Sequence, residues 1–379
     1  MKRSWDIFCS VVDNYGDIGV CWRLARQLAV EMQQPVRLWV DDLASFQHIC
    51  PPVDPASDQQ SIEAVEIRRW LIPFPDVVPA STVIEGFGVR LPETYLAAMA
   101  AMKPPPLWIN LEHISAEPWV DDYHGLPSPH PQLPLTKYFF FPGFTAKTGG
   151  LLFERDLPAV RSNFQADAKA RIEIWRTLGV EIAEGSLIVS LFCYENAALA
   201  ELIDAWAASV VPVVCIVPQG RALDAVADAL DARLEPGMCI LQGQLSVVAI
   251  EFLDLDRYDR LLWASDVNFV RGEDSFVRAQ FAARPLVWQA YVQADDAHLK
   301  KLAAFLDRYL AGLDLQTADP WRALNEMWNR QQPGIGREWA RFSAAKAAAS
   351  AHAATWARRI ADGGNLATKL AEFRPNRLE

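Results

Sequence analysis

Short apolar runs alternate with amphipathic stretches through the first half of the chain, and the alternation restarts in the second half. Runs at residues 7–12, 36–40, 82–85, 107–111 and 138–141 predict strands, and the 3.6-residue spacing over 20–32 and 91–102 predicts helices. Strands separated by helices imply βαβ units and a parallel sheet. From about Ala166 a helical segment runs to Leu178, and strands are predicted at 186–192, 212–217, 238–241, 267–270 and 286–288. This reads as a second α/β stack, with the linker near 155–185. The Ala-rich tail 338–373 predicts one or two helices broken at Gly363-Gly364. Two doubly wound domains with a cleft between them are expected, at 1–160 and 166–355.

At 379 residues and 51% hydrophobic, the chain is long enough for two cores. Its fourteen Trp and eighteen Phe belong mostly in those cores and at domain interfaces. A net charge of -11 argues against a nucleic-acid-binding surface, because phosphate contacts need clustered Lys and Arg; a local basic pocket stays compatible with it. Cys9, Cys21, Cys50, Cys193, Cys215 and Cys239 form no CxxC pair, and most sit in apolar runs. That suits buried free thiols in a reducing cytosol. No long apolar core follows Met1, and the run 210–217 is too short to span a bilayer and contains Pro212. The expectation is a cytoplasmic protein that engages neither membrane nor nucleic acid.

Candidate chemistry concentrates in two loops. Asp13-Asn14-Tyr15-Gly16-Asp17-Ile18-Gly19 places two carboxylates, two glycines and an amide between the first strand and the first helix. Open α/β sheets bind ligands outside the carboxyl ends of their strands, where a helix start offers free N–H groups. An acid there can take a proton or hold a cation, although a plain capped βα turn has the same composition. Arg271-Gly272-Glu273-Asp274-Ser275 follows the strand 267–270 and precedes a helix expected over 276–283, with Asp274 or Ser275 as its cap. Arg271 can clamp a phosphate, and Glu273 can accept from a ribose hydroxyl or stabilise charge across the cleft. Phe192, Tyr194 and Phe252 stand near strand ends, where rings can stack on a nucleobase. Gln219-Gly220-Arg221 is a third, weaker strand-end loop. One charged loop is ordinary; one per domain favours a shared site.

Several signatures are missing. The chain has no G-x-G-x-x-G, no G-x-x-x-x-G-K-[ST] and no G-x-S-x-G, which lowers dehydrogenase, P-loop and serine-hydrolase readings. The six His are scattered, which argues against a His-based metal site.

The stretch Asp13 through Val20 resembles the N-terminal motif of a bacterial family of protein-arginine rhamnosyltransferases that modify translation elongation factor P, the EarP family. So do Asn110-Leu111-Glu112-His113-Ile114-Ser115-Ala116-Glu117-Pro118-Trp119-Val120, Leu126-Pro127-Ser128-Pro129-His130-Pro131, and Phe139 to Leu152 with Pro142-Gly143-Phe144-Thr145 and Thr148-Gly149-Gly150. The longest block is Asn268-Phe269-Val270-Arg271-Gly272-Glu273-Asp274-Ser275-Phe276-Val277-Arg278-Ala279-Gln280. These blocks keep their order across essentially the whole chain. The resemblance implies an α/β, GT-B-type glycosyltransferase with two Rossmann-like domains facing across a cleft. The first domain would receive elongation factor P, the second would bind dTDP-β-L-rhamnose, and a final helix at about 356–379 would cross back to the first.

The implied reaction is transfer of rhamnose to an arginine guanidinium nitrogen, with inversion and without a metal or other cofactor. The modified factor would then rescue ribosomes stalled at polyproline. Carried onto matching positions, Asp17 is the base, Asp13 its partner in holding the guanidinium, and Glu273 the second essential acid. Asn14, Tyr15, Gly16, Phe192, Tyr194, Phe252 and Leu255 would contact substrates, and Arg271, Gly272, Asp274 and Ser275 would hold the diphosphate. Two positions depart from the family pattern. Leu255 replaces a Gln, which leaves the thymine to backbone groups, and His113 replaces a Tyr. Two other readings remain open from sequence: a nucleotide-sugar transferase with a small-molecule or glycan acceptor, and a non-catalytic nucleotide-sugar-binding regulator.

Overall fold

The computed structural model describes residues 3–12 and 15–374, so the candidates Asp13 and Asn14 lie outside the described residues. The chain divides into two compact units, Met1–Arg155 with Ile360–Glu379, and Asp156–Arg359. In the first, one sheet contains β1 (Trp5–Cys9), β2 (Val36–Val40), β3 (Gln59–Ile62), β4 (Val65–Arg69), β5 (Thr82–Gly86), β6 (Leu107–Leu111), β7 (Pro127–Pro129) and β8 (Thr136–Phe140). The order is β3-β4-β2-β1-β5-β6-β8-β7, with only the edge strands β3 and β7 antiparallel to their neighbours. In the second unit the strands are β9 (Leu187–Leu191), β10 (Val213–Pro218), β11 (Cys239–Gln242), β12 (Leu245–Ile250), β13 (Val267–Arg271) and β14 (Leu286–Gln289). They run in the order β11-β12-β10-β9-β13-β14, with only β11 antiparallel. Every residue of β1, β5, β9, β10 and β13 is buried, as strands covered by helices on both faces must be. Both units are thus Rossmann-like.

The strands lie where apolar runs predict them, with shifted ends. The first ends at Cys9 rather than at residue 12, because Ser10 Oγ and the Val11 N–H turn aside to the Asp41 carboxylate at 2.5 and 2.9 Å. The first helix opens at Gly16, before the predicted residue 20, and is regular only to Arg26. A π-helical turn, Gln27–Glu31, follows, in which the Met32 N–H reaches back to the Gln27 carbonyl. Strands β3, β4, β7 and β12 have no counterpart in the sequence reading. β3 and β7 are short edge strands and β4 lies next to the edge; all three have polar or proline-bearing sequences, and so lack an apolar run.

Two further corrections concern the boundaries. The helix Leu157–Ala166 straddles the expected limit at residue 160 but belongs wholly to the second unit. Gln165 ties it there, donating to the carbonyls of Trp263 and Ala282 at 3.0 and 2.9 Å. The tail forms three helices, Ile335–Ala344, Lys346–Asp362 and Leu366–Glu372, with a break at Ala345 as well as the expected one at Gly363-Gly364. The chain passes back to the first unit at Ile360 rather than near residue 356. Leu366–Glu372 docks on the Thr148-Gly149-Gly150 turn: the Leu366 N–H bonds the Leu151 carbonyl at 2.8 Å, and Lys369 Nζ bonds the Thr148 carbonyl at 2.9 Å. A Cβ on Gly150 would stand 2.3 Å from the Gly364 carbonyl oxygen, so only glycine permits this approach.

All six cysteines are free thiols; five are buried and Cys239 is exposed. The first unit encloses Phe8, Trp39, Tyr95 and Trp108 beside a buried carboxylate, Asp6. Asp6 accepts from Arg37 Nε and Nη2, both at 2.6 Å, from the Ala80 N–H at 2.8 Å, and from the Tyr95 hydroxyl. Burial, with Asp6 adding to it, pushes the Tyr95 hydroxyl well up, so it stays a neutral donor. Asp6→Ala leaves these donors without an acceptor and should cost about 3 kcal/mol in chemical denaturation. A loss below about 1 kcal/mol would rank the pair with ordinary surface ion pairs.

Candidate active site

At the carboxyl end of the first sheet, the chain leaves β1 and turns into the helix Gly16–Arg26. Asp17 lies in the first turn of that helix and is buried; its Oδ2 accepts from the Val12 N–H at 3.1 Å. This bond clamps the carboxylate to the end of the loop that it belongs to. Asp41, from the end of β2, holds the start of the same loop. Tyr15 occupies the cap position, with its ring 5.8 Å from that of His48. Loops after β5 and β6 reach the same end: Asn110 Oδ1 accepts from the Gly88 N–H at 3.0 Å, and His113 stacks on Phe87 with centroids 4.6 Å apart. A flat ring therefore survives where the family pattern has Tyr.

In the second unit, β13 ends at Arg271, and Gly272 turns the chain at φ +62 into the helix Asp274–Phe281. Glu273 occupies the cap position, one residue earlier than expected, and its side chain makes no cap bond. Ser275 is not the cap either: its hydroxyl donates back to the Arg271 carbonyl, which fixes the turn. Trp288 Nε1 donates to the Gly272 carbonyl at 2.9 Å and pins the loop from below. Glu273 pairs with Lys301 Nζ at 3.0 Å.

Arg271 is 6% exposed. Its guanidinium carbon lies 4.5 Å from the Phe192 ring and 4.3 Å from the Tyr194 ring, so two π faces flank the cation. The Nε and Nη1 atoms are buried and make no hydrogen bond. A buried donor left this way is costly, and an acceptor brought by a ligand would relieve that cost. Tyr194 is itself placed by its N–H, which donates to Gln289 Oε1 at 2.8 Å. Tyr258 packs edge-on to Phe192 at 5.6 Å. Burial, with the Asp274 carboxylate adding to it, keeps the Tyr258 hydroxyl neutral. Burial pushes the Cys193 thiol up to about 12 although Arg271 pulls it down, so this cysteine is a packing residue.

The second-unit candidates thus come together around one strand end: Phe192, Tyr194, Arg271, Gly272, Glu273, Asp274 and Ser275. Phe252 follows β12 at the same carboxyl edge of the sheet, beyond the Gln219-Gly220-Arg221 turn after β10. Leu255 is the first residue of the helix Leu255–Ala264 and is buried, so only its backbone is available to a ligand. In the first unit Tyr15, Gly16 and Asp17 share one helix start. Sequence reasoning missed Lys301, Tyr258, Gln289 and Asp41. Each lies far along the chain from the loop it supports, and no motif signals it. Among the described residues no helix is long and apolar enough to cross a membrane.

The chain matches the family described as "Elongation-Factor P (EF-P) rhamnosyltransferase EarP" over residues 5–375. A protein-arginine rhamnosyltransferase of Pseudomonas putida is 47% identical, with 100% of both chains covered. One of Pseudomonas aeruginosa is 46% identical over 98% of each chain. A solved structure described as the structural basis for EarP-mediated arginine glycosylation of translation elongation factor EF-P aligns with TM-score 0.72 and 36% identity, covering 100% of both chains. An α-glucosyltransferase solved with UDP and DNA aligns over 98% of each chain at TM-score 0.50 and 9% identity, a likeness of fold alone. With the two parallel-rich sheets, these likenesses place the chain in the GT-B-type fold class that the sequence suggested.

If Arg271 is held for a ligand rather than for the fold, Arg271→Met should change unfolding free energy by less than about 1 kcal/mol, since no protein hydrogen bond from Nε or Nη1 is lost. Nucleotide-dependent thermal stabilisation should vanish in the same variant. A large intrinsic destabilisation would instead make the guanidinium part of the core.

Proposed function

The chain belongs to the EarP family of elongation factor P rhamnosyltransferases, and on that premise we propose that it moves L-rhamnose from dTDP-β-L-rhamnose to an arginine guanidinium of elongation factor P, with inversion at C1. The observation that carries the donor half is Arg271. Its unsatisfied N–H groups lie between two rings, at a strand end and beside a helix start. A diphosphate supplies the acceptors those groups lack, and a pyrimidine supplies a face for ring stacking near Phe192, Tyr194 or Phe252. Leu255 leaves the edge of the base to backbone groups. Tyr15, Gly16 and Asp17 are assigned to the acceptor arginine, as are Asp13 and Asn14, which precede them in the sequence.

Guanidinium is a poor nucleophile, with delocalised lone pairs and a pKa above about 12. A carboxylate of pKa about 4 cannot deprotonate it in the ground state. Asp17 therefore orients one nitrogen and takes its proton as the C–N bond forms. The C1–O bond breaks in the same step, and the electron pair leaves on the dTDP β-phosphate. Arg271 and the N–H groups of Asp274 and Ser275 stabilise that charge, so the reading needs no metal. Glu273, held by Lys301, is the second acid and steadies the positive charge that develops on the sugar. The setting is the cytoplasm, and the modified factor serves ribosomes stalled at polyproline.

Asp17→Asn should lower the appearance of one deoxyhexose on purified elongation factor P, followed by intact mass, by about 10²–10⁴ while dTDP still raises the melting temperature. Near-wild-type turnover would reject the assigned base. Glu273→Gln should inactivate similarly. Lys301→Met should lower kcat with little change in dTDP binding, and full activity there would make the ion pair incidental. Transfer to a free glycan and not to the factor would favour the small-acceptor reading.

A further inference from the structure

A second group of guanidiniums lies at the opposite, amino end of the second sheet. Arg161 is on the helix Leu157–Ala166, Arg171 on the helix Ala168–Thr177, and Arg284 on the turn entering β14; Arg358 is near the end of the helix Lys346–Asp362. Gln165 holds the group together. Besides its bonds to Trp263 and Ala282, it accepts from Arg161 Nη1 at 3.4 Å, and Ala282 is two residues from Arg284. The Nε atoms of Arg161, Arg171 and Arg284 are all buried without a hydrogen-bond partner, and Arg161 is 8% exposed. Among the described residues none of these three arginines forms an ion pair. Asp266 acts on Arg284, but its Oδ2 accepts from the Ile188 N–H at 2.9 Å.

These cations work against one another. Burial lowers Arg161, and Arg284 and Arg358 lower it further; burial and Arg171 do the same to Arg284, against Asp266. Like charges in a desolvated setting are unfavourable, and an anion relieves them. The group is unusual in a chain of net charge -11. The Nη groups of Arg171 and Arg284, unlike their Nε atoms, are not shut away from solvent. Several guanidinium forks match a tetrahedral dianion, whose oxygens each accept charge-assisted bonds, better than a single carboxylate or chloride.

We propose that Arg161, Arg171 and Arg284, with Arg358 at the rim, form a binding site for a phosphate-bearing anion. Asp266 precedes β13 and Arg271 ends it, so the site lies roughly 15 Å, one strand length, from the candidate donor loop. It is separate from that loop and does not depend on the function proposed above.

Full-length Arg271→Gln protein, in which the donor loop is disabled, should still bind pyrophosphate by calorimetry and gain melting temperature from it at constant ionic strength. Inorganic phosphate should act in the same direction, more weakly. Adding Arg284→Gln or Arg161→Gln should weaken pyrophosphate at least about tenfold. In phosphate-free buffer Arg284→Gln should melt no lower than its parent, because a repelling charge has gone. Equal pyrophosphate affinity with and without Arg284→Gln and Arg161→Gln overturns the proposal. So does no binding to the Arg271→Gln parent. Should Arg284→Gln fail to fold, the cluster is structural unless Arg171→Gln folds and loses the anion.

Discussion

A guanidinium can be buried without a carboxylate only if something else meets its charge, and the carboxyl end of the second sheet is arranged around that requirement. Phe192 and Tyr194, both just past β9, supply π faces to Arg271 across the β9–β13 pairing. The rings share the positive charge without using up its N–H groups, which a carboxylate would have done. Gly272, Ser275 and Trp288 then fix the turn so that the helix start and the arginine address the same space. Charge, platform and backbone donors are all set in advance, so a ligand that met them would require little reorganisation.

The first sheet solves a different problem at its own strand ends. There the buried charge is the Asp17 carboxylate at a helix N-terminus, where the dipole favours the ionised form. Asp17 Oδ2 accepts from the Val12 N–H, which fixes the carboxylate at the end of its loop. Asp41 stiffens the loop from the neighbouring strand. The two units therefore each hold a buried charged side chain at the same kind of strand–turn–helix element.

Much of this was legible along the chain because parallel strands are apolar on both faces, and the runs at 36–40 and 107–111 coincide with strands residue for residue. What escaped is instructive. Strand β3 at the sheet edge and β4 beside it alternate polar residues, and Lys301 gives no local signal that it faces Glu273. The longest family block also mixes roles that a linear motif cannot separate. Asn268 bonds Ser190 and the Leu262 carbonyl, Arg278 pairs with buried Asp259, and Gln280 accepts from Trp356; these three build the scaffold beneath the loop. Arg271 to Ser275 alone stand at the strand end. The helix likewise begins at Asp274 because Ser275 is recruited by the Arg271 carbonyl, a competition invisible in the sequence.

The docking of Leu366–Glu372 against the turn at Thr148 has a consequence for biogenesis. A ribosome releases residues in order, yet the first Rossmann-like unit lacks its closing piece until the whole of the second unit has been made. The middle unit, continuous from 156 to 359, is the one whose sequence emerges whole during synthesis. A nascent chain must therefore keep an unfinished first sheet intact while its successor emerges, and deletion of residues 366–372 should injure the part of the protein made before the second unit.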